Sequence, residues 1–147
     1  MRILIEKGKR RLTLTDDGGR TALCCPVALG SCPVGAKERE GDGKTPEGAY
    51  FVCLKKQGKY GPSLGISYPN VGDALCGDLP PETVEVIRQR AERGERPPWG
   101  TALGGEIYIH GGGADRDWTA GCIALSDENA KTLYDLVPPG TEIRIVP

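Results

Sequence analysis

Short runs of alternating apolar and polar residues recur along the chain, and this period of two is typical of half-buried strands. Residues 2–6 and 11–15 show it in pairs, with Ile3 and Ile5, then Leu12 and Leu14, set between polar neighbours. The polar, Gly-containing segment between the two runs predicts a hairpin. Further strands are predicted over residues 21–29, 49–54, 106–109 and 141–146.

Helical spacing occurs in two places. Pro80-Pro81 opens a predicted helix that ends near Gly94, since Pro is tolerated in the first turn of a helix. Ser126 is a good N-cap for a second helix, which Pro138-Pro139-Gly140 ends. Residues 30–48 and 58–79 are predicted to be a long loop and an irregular segment. With no repeat and no linker, residues 1–147 are expected to form one mostly β domain with two short helices.

Composition narrows the function classes. The 147 residues include 22 Gly and 12 Pro, as expected for a turn-rich domain, and the net charge of −1 gives no general attraction to nucleic acid. No apolar stretch approaches the length of a membrane span. The basic cluster of residues 7–11 is interpreted as a solvated turn, with an anion contact as the alternative.

The chain has six Cys and one His, so sites that need two imidazoles are excluded. No C-x-x-C pair occurs, which argues against redox and zinc-ribbon motifs. Cys24, Cys25 and Cys53 are interpreted as small apolar residues in strands. We expect no cofactor and no metal, although a structural metal site built from several Cys and the His is kept as a hypothesis.

The single His lies at the end of a predicted strand, and a Gly-Cys pair follows twelve residues later. His110 precedes Gly111-Gly112-Gly113, and Gly121 precedes Cys122. A rigidly held imidazole beside a thiol can take its proton and create the reactive thiolate. Backbone N–H groups at Gly121 and Cys122 can then face an oxyanion. The alternative is a core Cys together with a His that is capped by a local carbonyl.

At these residues the sequence resembles the L,D-transpeptidase (YkuD/ErfK) family. The I-H-G run that ends at Gly111 and the T-A-G-C-I run over 119–123 are similar to its catalytic signature. The segment 41–48, Gly-Asp-Gly-Lys-Thr-Pro-Glu-Gly, resembles its G-D-x-x-T-P-E-G loop. Segments 67–70 and 117–125 resemble one bacterial branch. Several motifs in the family's order make this resemblance more specific than a His and a Cys alone.

The resemblance implies a β-sandwich or barrel-like domain acting on peptidoglycan stem peptides, with carbapenem β-lactams as inhibitors. Cys122 is then the nucleophile, His110 is the general base and later the acid, and the backbone carbonyl of Gly111 accepts a hydrogen bond from the His ring. Gly121 and Cys122 supply oxyanion N–H groups. The Cys attacks the carbonyl before a terminal D-Ala, and an amine from another stem resolves the thioester. Water as the acceptor gives an L,D-carboxypeptidase instead.

The chain also departs from the family's S-H-G-C-I-R-L pattern. Thr119 stands for the Ser, Ala120 replaces a second His, and Ala124 replaces an Arg. Lys44 and Arg116 are candidates for the missing charge. Substrate contacts are expected from five residues near these motifs: Tyr108, Trp118, Thr119, Tyr68 and Asn70.

Two further expectations concern the setting of the domain. We expect a monomer without a membrane span. The family implies the cell envelope or periplasm, whereas the chain as given carries no export signal, so a cytoplasmic location stays open. A non-catalytic wall-binding module with the same fold is the alternative to an enzyme.

Overall fold

Eight strands and three helices make up the computed structural model, which describes all residues, Met1–Pro147. In chain order they are β1 (Arg2–Glu6), β2 (Arg11–Thr15), β3 (Thr21–Pro26), β4 (Gly48–Gly58), β5 (Gly61–Ile66), α1 (Val71–Cys76), α2 (Pro81–Glu92), β6 (Tyr108–His110), β7 (Ile123–Ala124), α3 (Asp127–Leu136) and β8 (Glu142–Val146). None of the helices has the length and apolar character needed to cross a membrane.

The strands form one sheet in the order β3-β2-β1-β8-β4-β5-β6-β7. Two pairs are parallel, β1 with β8 and β6 with β7, and the other neighbours are antiparallel. The long strand β4 joins the halves, because its first residues pair with β8 and the rest with β5. A register shift between Val52 and Leu54 lies where β4 passes from one partner to the other. The sheet therefore curls, as a bulge increases local bend and twist.

The two edges of the curled sheet are tied together. Beyond the end of β3, Ala28 exchanges backbone hydrogen bonds with Ala124 at 2.8 and 2.9 Å. An isolated bridge also joins Gly30 to Thr119. This is the barrel-like, mostly β architecture that the sequence predicts. It also brings the start of the 30–48 loop against the segment that leads to Cys122.

The core is built from the alternating positions of the strands. Its side chains include Ile3, Ile5, Leu12, Leu14, Ile143 and Ile145, none more than 1% exposed. Burial of each such side chain contributes about 1.5–3 kcal/mol. The helix α3 packs against β5 and β6 with Ala130 and Leu133 buried. Ser126 caps this helix as predicted, accepting a hydrogen bond from Asn129 N.

The segment predicted to be irregular, 58–79, contains both β5 and α1. Gly and Pro in β5 hide its strand pattern, although Leu64 and Ile66 are buried. The helix α1 has only six residues and is fixed by a capping box between Asn70 and Asp73, so apolar spacing gives little sign of it. The prediction of two helices is therefore wrong by one.

The other differences concern strand lengths. Strand β3 ends at Pro26 and does not reach residue 29, and it lies at a sheet edge, where Pro is tolerated. Strand β4 extends to Gly58 because the residues after Leu54 pair with β5. Strand β6 begins at Tyr108 and not at residue 106, since Glu106 has a positive φ of 54° that interrupts extended backbone. The two-residue strand β7 is absent from the prediction.

The basic cluster at the β1–β2 turn is only partly solvated, so its interpretation as a solvated turn is wrong for Lys7. This side chain is 3% exposed and forms an ion pair with Glu47 at 3.1 Å. Its Nζ also donates to the carbonyls of Gly35 and Thr45, both at 2.8 Å. Burial lowers the pKa of Lys7, partly offset by Glu47. Lys7 thus anchors both ends of the 30–48 loop to the sheet.

Replacing Lys7 should therefore destabilise the domain. Lys7→Met leaves the Glu47 carboxylate and two carbonyls without their partner, and breaking a buried pair in this way costs about 3 kcal/mol. Urea unfolding measures the loss. The matched control is Lys9→Met, whose side chain is 63% exposed and whose pair with Glu6 should contribute less than about 1 kcal/mol.

A double variant sharpens the same test. Adding Glu47→Leu to Lys7→Met removes the stranded carboxylate, so part of the stability should return. Equal losses in Lys7→Met and Lys9→Met would contradict the assignment of Lys7 as an anchor.

Candidate active site

Cys122 lies immediately before β7, and β7 pairs in parallel with β6. The register places Ile109 beside Ile123, so Cys122 is level with Tyr108. The backbone N–H of Tyr108 donates to the Cys122 sulfur at 3.4 Å. In a parallel pair the side chains of facing residues lie on the same side of the sheet, and those two residues apart on one strand also share a face. Cys122, Tyr108 and His110 therefore share one face.

His110 is held by its own backbone neighbour. Its Nδ1 lies 2.5 Å from the carbonyl oxygen of Gly111, the contact that the resemblance implies, and the ring is buried at 5% exposure. A carbonyl only accepts hydrogen bonds, so Nδ1 carries the proton and Nε2 keeps its lone pair. This tautomer leaves the imidazole able to act as a base through Nε2.

Two aromatic rings enclose the imidazole. Tyr60 stacks on His110 with ring centroids 4.6 Å apart and 16° between the planes. Trp118 meets both rings edge-on, at 5.8 Å from His110 and 5.1 Å from Tyr60. The Trp118 indole N–H donates to the Gly113 carbonyl at 3.0 Å, which fixes the ring over the loop. Trp118 thus packs against both the imidazole and Tyr60.

Tyr60 is the site residue that the sequence analysis misses. It lies at the tip of the β4–β5 hairpin and is 37% exposed. The segment around it is predicted to be irregular, so nothing in the sequence pattern brings it to His110. The only signal is an aromatic residue at a tight turn between Lys59 and Gly61.

Burial favours neutral forms of the Cys and the His. It raises the pKa of the Cys122 thiol, although the Tyr108 N–H and the charge of Lys37 lower it in part. Burial also lowers the pKa of His110, partly offset by the Gly111 carbonyl. The thiol donates to the Glu106 carbonyl at 3.7 Å and makes no hydrogen bond to His110. Both shifts favour the neutral thiol and the neutral imidazole.

The residue before the Cys has to be glycine. Gly121 has a φ of +146°, and a Cβ there would lie 2.8 Å from the Lys44 carbonyl oxygen. The Gly121 carbonyl accepts a hydrogen bond from the hydroxyl of Thr45 at 2.9 Å, and that hydroxyl accepts from Gly30 N at 3.0 Å. Thr45, fully buried, thus ties the 41–48 motif to the turn that carries Cys122.

Thr119 braces the same turn from within. Its hydroxyl donates to the Cys122 carbonyl at 2.7 Å and accepts from the Gly121 N–H at 3.1 Å. The side chain is buried, and both hydrogen bonds of its hydroxyl lie within the turn. The Gly121 N–H, expected to face an oxyanion, is thus engaged by Thr119 in this structure.

Asp117 anchors the loop to the first hairpin. Its carboxylate accepts from Arg10 Nη2 at 2.8 Å and from the backbone N–H of Leu29 at 3.0 Å. Burial raises its pKa, but the hydrogen bonds outweigh this and the net pKa is lowered. Arg10 is half-exposed, and its ion pair with Asp117 links the basic cluster to the 117–125 motif.

The remaining predicted residues divide between the site and the neighbouring α1 region. Tyr108 lies on the face of the Cys and packs edge-on against Trp99. Tyr68 is fully buried and its hydroxyl donates to the Leu103 carbonyl at 2.9 Å, so its side chain is not available to a ligand. Asn70 caps α1 and also donates to the Ala49 carbonyl at 3.1 Å. Both serve the fold around α1.

An open cavity of about 540 Å³ lies beside His110. It is lined by Tyr60, Gly112, Gly113, Asp115, Arg116 and Trp118. Gly112 has a φ of +107°, and a Cβ there would lie 2.8 Å from the Trp118 ring, so the glycine lets the loop pass close to the indole. The cavity borders Tyr60 and Trp118, the two rings that pack on His110, and its lining does not include His110 or Cys122.

No group of three or more His, Cys, Asp and Glu side chains converges in a way that could hold a metal ion. All six Cys are free thiols.

A family model described as the L,D-transpeptidase catalytic domain, YkuD, matches residues 1–145. No curated protein matches the sequence. Among solved structures, the K307A mutant of the helical cell shape determining protein Pgp2 from Campylobacter jejuni is 25% identical, with a TM-score of 0.69. That match covers 97% of this chain and 45% of the other.

Two other solved structures share the fold at lower identity. An L,D-transpeptidase from Mycobacterium smegmatis is 16% identical with a TM-score of 0.58, covering 99% of this chain and 58% of that one. The LD transpeptidase LdtMt1 in complex with imipenem is 17% identical with a TM-score of 0.54, covering 98% and 57%. The chain thus spans about half the length of the solved proteins it matches.

The curled sheet, the Cys and His on one face, and a family match over nearly the whole length agree with one another. The chain belongs to the YkuD family of L,D-transpeptidase catalytic domains.

Proposed function

We propose that this domain is a cysteine acyltransferase that acts on peptidoglycan stem peptides as an L,D-transpeptidase. One observation carries the proposal: Cys122 and His110 share a face of the sheet, and the hydrogen bond to Gly111 leaves Nε2 of the imidazole as a base. The family match and the imipenem complex of one structural neighbour support it.

In the proposed reaction the Cys122 sulfur attacks the carbonyl carbon before a terminal D-Ala, and its proton passes to Nε2 of His110. The N–H groups of Gly121 and Cys122 stabilise the oxyanion, with the substrate oxygen displacing the Thr119 hydroxyl from Gly121. The carbon–nitrogen bond then breaks, and His110 returns the proton to the departing amine. An acceptor amine attacks the thioester and gives a proton to His110; the carbon–sulfur bond then breaks, and His110 returns that proton to the sulfur.

The surroundings of the pair fit a peptide substrate. Trp118, which packs on His110, and Tyr108, which is level with Cys122, offer flat apolar surface with a polar handle near the reacting groups. The cavity beside His110 carries both Asp115 and Arg116, which can meet the charged ends of a stem peptide. Peptidoglycan as the substrate places the activity at the cell envelope. A helical cell shape determining protein among the neighbours supports a role in wall architecture.

Water as the acceptor is the alternative within the same chemistry. The neutral resting pair permits His110 to deprotonate either a water or an amine at the thioester. Incubation with a stem tetrapeptide, with and without an added amine, separates these outcomes by mass. A cross-linked product identifies a transpeptidase, and only a shortened peptide identifies an L,D-carboxypeptidase.

Carbapenem acylation tests the nucleophile directly. Imipenem should add its mass to the wild-type protein at a single site, and peptide mapping should place it on Cys122. Cys122→Ala should abolish the adduct, and His110→Ala should slow acylation by about 10²–10⁴-fold because the general base is lost. The control is Cys76→Ala, which lacks an exposed thiol and should be acylated by imipenem at the wild-type rate.

The decisive contrary result is wild-type protein that takes up no imipenem and leaves a stem tetrapeptide unchanged. If such protein still bound peptidoglycan, and Cys122→Ala bound it equally well, the domain would be a wall-binding module.

The pH profile tests the neutral pair. His110 has its pKa lowered from 6.5 and Cys122 has its pKa raised from 9.0. Acylation therefore stays high while the imidazole is neutral and falls only as pH drops through the His110 pKa, below 6.5. The rate constant of imipenem acylation, measured from about pH 5 to about pH 10, should show that acid limb. His110→Ala should lose it and rise only as the thiol ionises, above pH 9. A wild-type midpoint above 6.5 would contradict this assignment.

Tyr60 should matter through its contact with His110. Tyr60→Ala removes the stacked ring and exposes the imidazole to water, which should raise the pKa of His110 and move the acid limb to higher pH. Acylation at neutral pH should slow by about threefold to tenfold, as an aromatic pair contributes about 0.5–1.5 kcal/mol. Tyr60→Phe keeps the ring and is the matched control. An unchanged pH profile in Tyr60→Ala would show that the stacking is incidental.

A further inference from the structure

A buried ammonium group lies beside the turn that carries Cys122. Lys37, in the long loop before β4, has a side chain only 4% exposed. Its Nζ pairs with Asp42 Oδ1 at 2.9 Å. Burying a Lys is costly unless its charge is compensated, so such a residue calls for an explanation in its surroundings.

The ion pair compensates this charge only in part. Asp42 also accepts three backbone N–H groups, from Glu38 at 2.8 Å, Arg39 at 3.1 Å and Lys44 at 3.1 Å. Burial raises the pKa of Asp42, but these four donors outweigh it and lower the pKa to about 2. The Asp42 charge is thus shared among several donors. Lys37, by contrast, has three N–H donors and hydrogen-bonds only to Asp42.

The free side of the ammonium faces the Cys122 turn. A Cβ placed on Gly121 would lie 3.6 Å from Lys37 Nζ, and Gly121 is bonded directly to Cys122. The charged groups that act on the thiol are Lys37, which lowers its pKa, and Glu106, which raises it. His110, on the same face, is kept neutral by burial. Lys37 is thus the one positive charge acting on the sulfur.

We propose that Lys37, oriented by Asp42, is the fixed cation that stabilises the anionic sulfur of Cys122 when its proton leaves. The inference rests on Cys122 being the nucleophile, as proposed above. Neither Lys44 nor Arg116 takes this place beside the sulfur. Lys44 directs its Nζ to Gly35, 3.6 Å from the position of a Cβ there, and Arg116 is exposed.

Alkylation of Cys122 by iodoacetamide tests this without a peptide substrate, because its rate follows the thiolate fraction. Peptide mapping across a pH series gives the apparent pKa of Cys122, with exposed Cys32 and Cys76 as internal references. Lys37→Met should raise that pKa by about one unit or more, which means about tenfold slower alkylation at neutral pH. Lys37→Arg keeps the charge and should stay close to wild type.

Asp42→Asn should shift the apparent pKa of Cys122 in the opposite direction. It removes the negative partner and leaves the Lys37 charge uncompensated, so the apparent pKa of Cys122 should fall below the wild-type value. A merely structural pair would make both Lys37→Met and Asp42→Asn slow Cys122 in the same way. Opposite shifts support the proposal, and shifts of the same sign, or none in either variant, overturn it. If Lys37→Met does not fold, Asp42→Asn decides alone, because a pKa that does not fall overturns the proposal.

The proposed enzyme activity can fail separately. Suppose that the two variants shift the pKa of Cys122 in opposite directions, but wild-type protein takes up no imipenem. That result would support Lys37 as the cation at Cys122 and overturn the transpeptidase assignment. Normal imipenem acylation with unshifted alkylation would overturn the role of Lys37 alone.

Discussion

The backbone contact between the two edges of the curled sheet is the constraint on which the site depends. Ala28 and Ala124 exchange hydrogen bonds, and Gly30 bridges to Thr119. These contacts join residues almost a hundred positions apart, so neither edge could hold this arrangement alone. Because the chain enters the long loop directly after Gly30, closing the sheet also delivers that loop to the Cys122 turn. The fold and the site are therefore formed by the same closure.

The loop then has to be held, and buried polar side chains do this. Thr45 bonds the Gly121 carbonyl, and Lys7 bonds the Thr45 carbonyl and the Glu47 carboxylate. The chain of contacts runs from the end of β1 to the residue beside Cys122. Lys7 and Thr45 are buried, so loss of either leaves its partners without hydrogen bonds in a medium where that is costly. This explains why a Thr-Pro-Glu-Gly motif far from the Cys in sequence accompanies it in the fold.

Sequence reasoning predicts what depends on local pattern. The β1–β2 hairpin, β8, α2 and α3 follow from period and capping, and the one His and a Gly-flanked Cys identify the candidate pair. Strand β5 could not be predicted, because Gly61, Pro62 and Gly65 interrupt its alternating pattern. The role of Tyr60 could not be predicted either, since its contact with His110 depends on where β5 pairs. The burial of Lys7 and Lys37 could not be predicted either, because Lys side chains are usually exposed and only the tertiary structure shows which residues enclose these two. Tertiary pairing decided each of these features.

The electrostatic balance at Cys122 links these observations. Burial favours the neutral forms of the thiol and of the imidazole. The same burial would make the anion formed during attack expensive. The motif around the Cys offers no charge to offset this, since Ala120 and Ala124 stand where a His and an Arg occur in the pattern it resembles. A cation that is itself buried acts strongly at short range, because little water screens it. Lys37 is buried in this way and lies in the loop that sheet closure brings to the turn; in the role proposed for it, it supplies this charge from a position 85 residues earlier in the chain (122 minus 37).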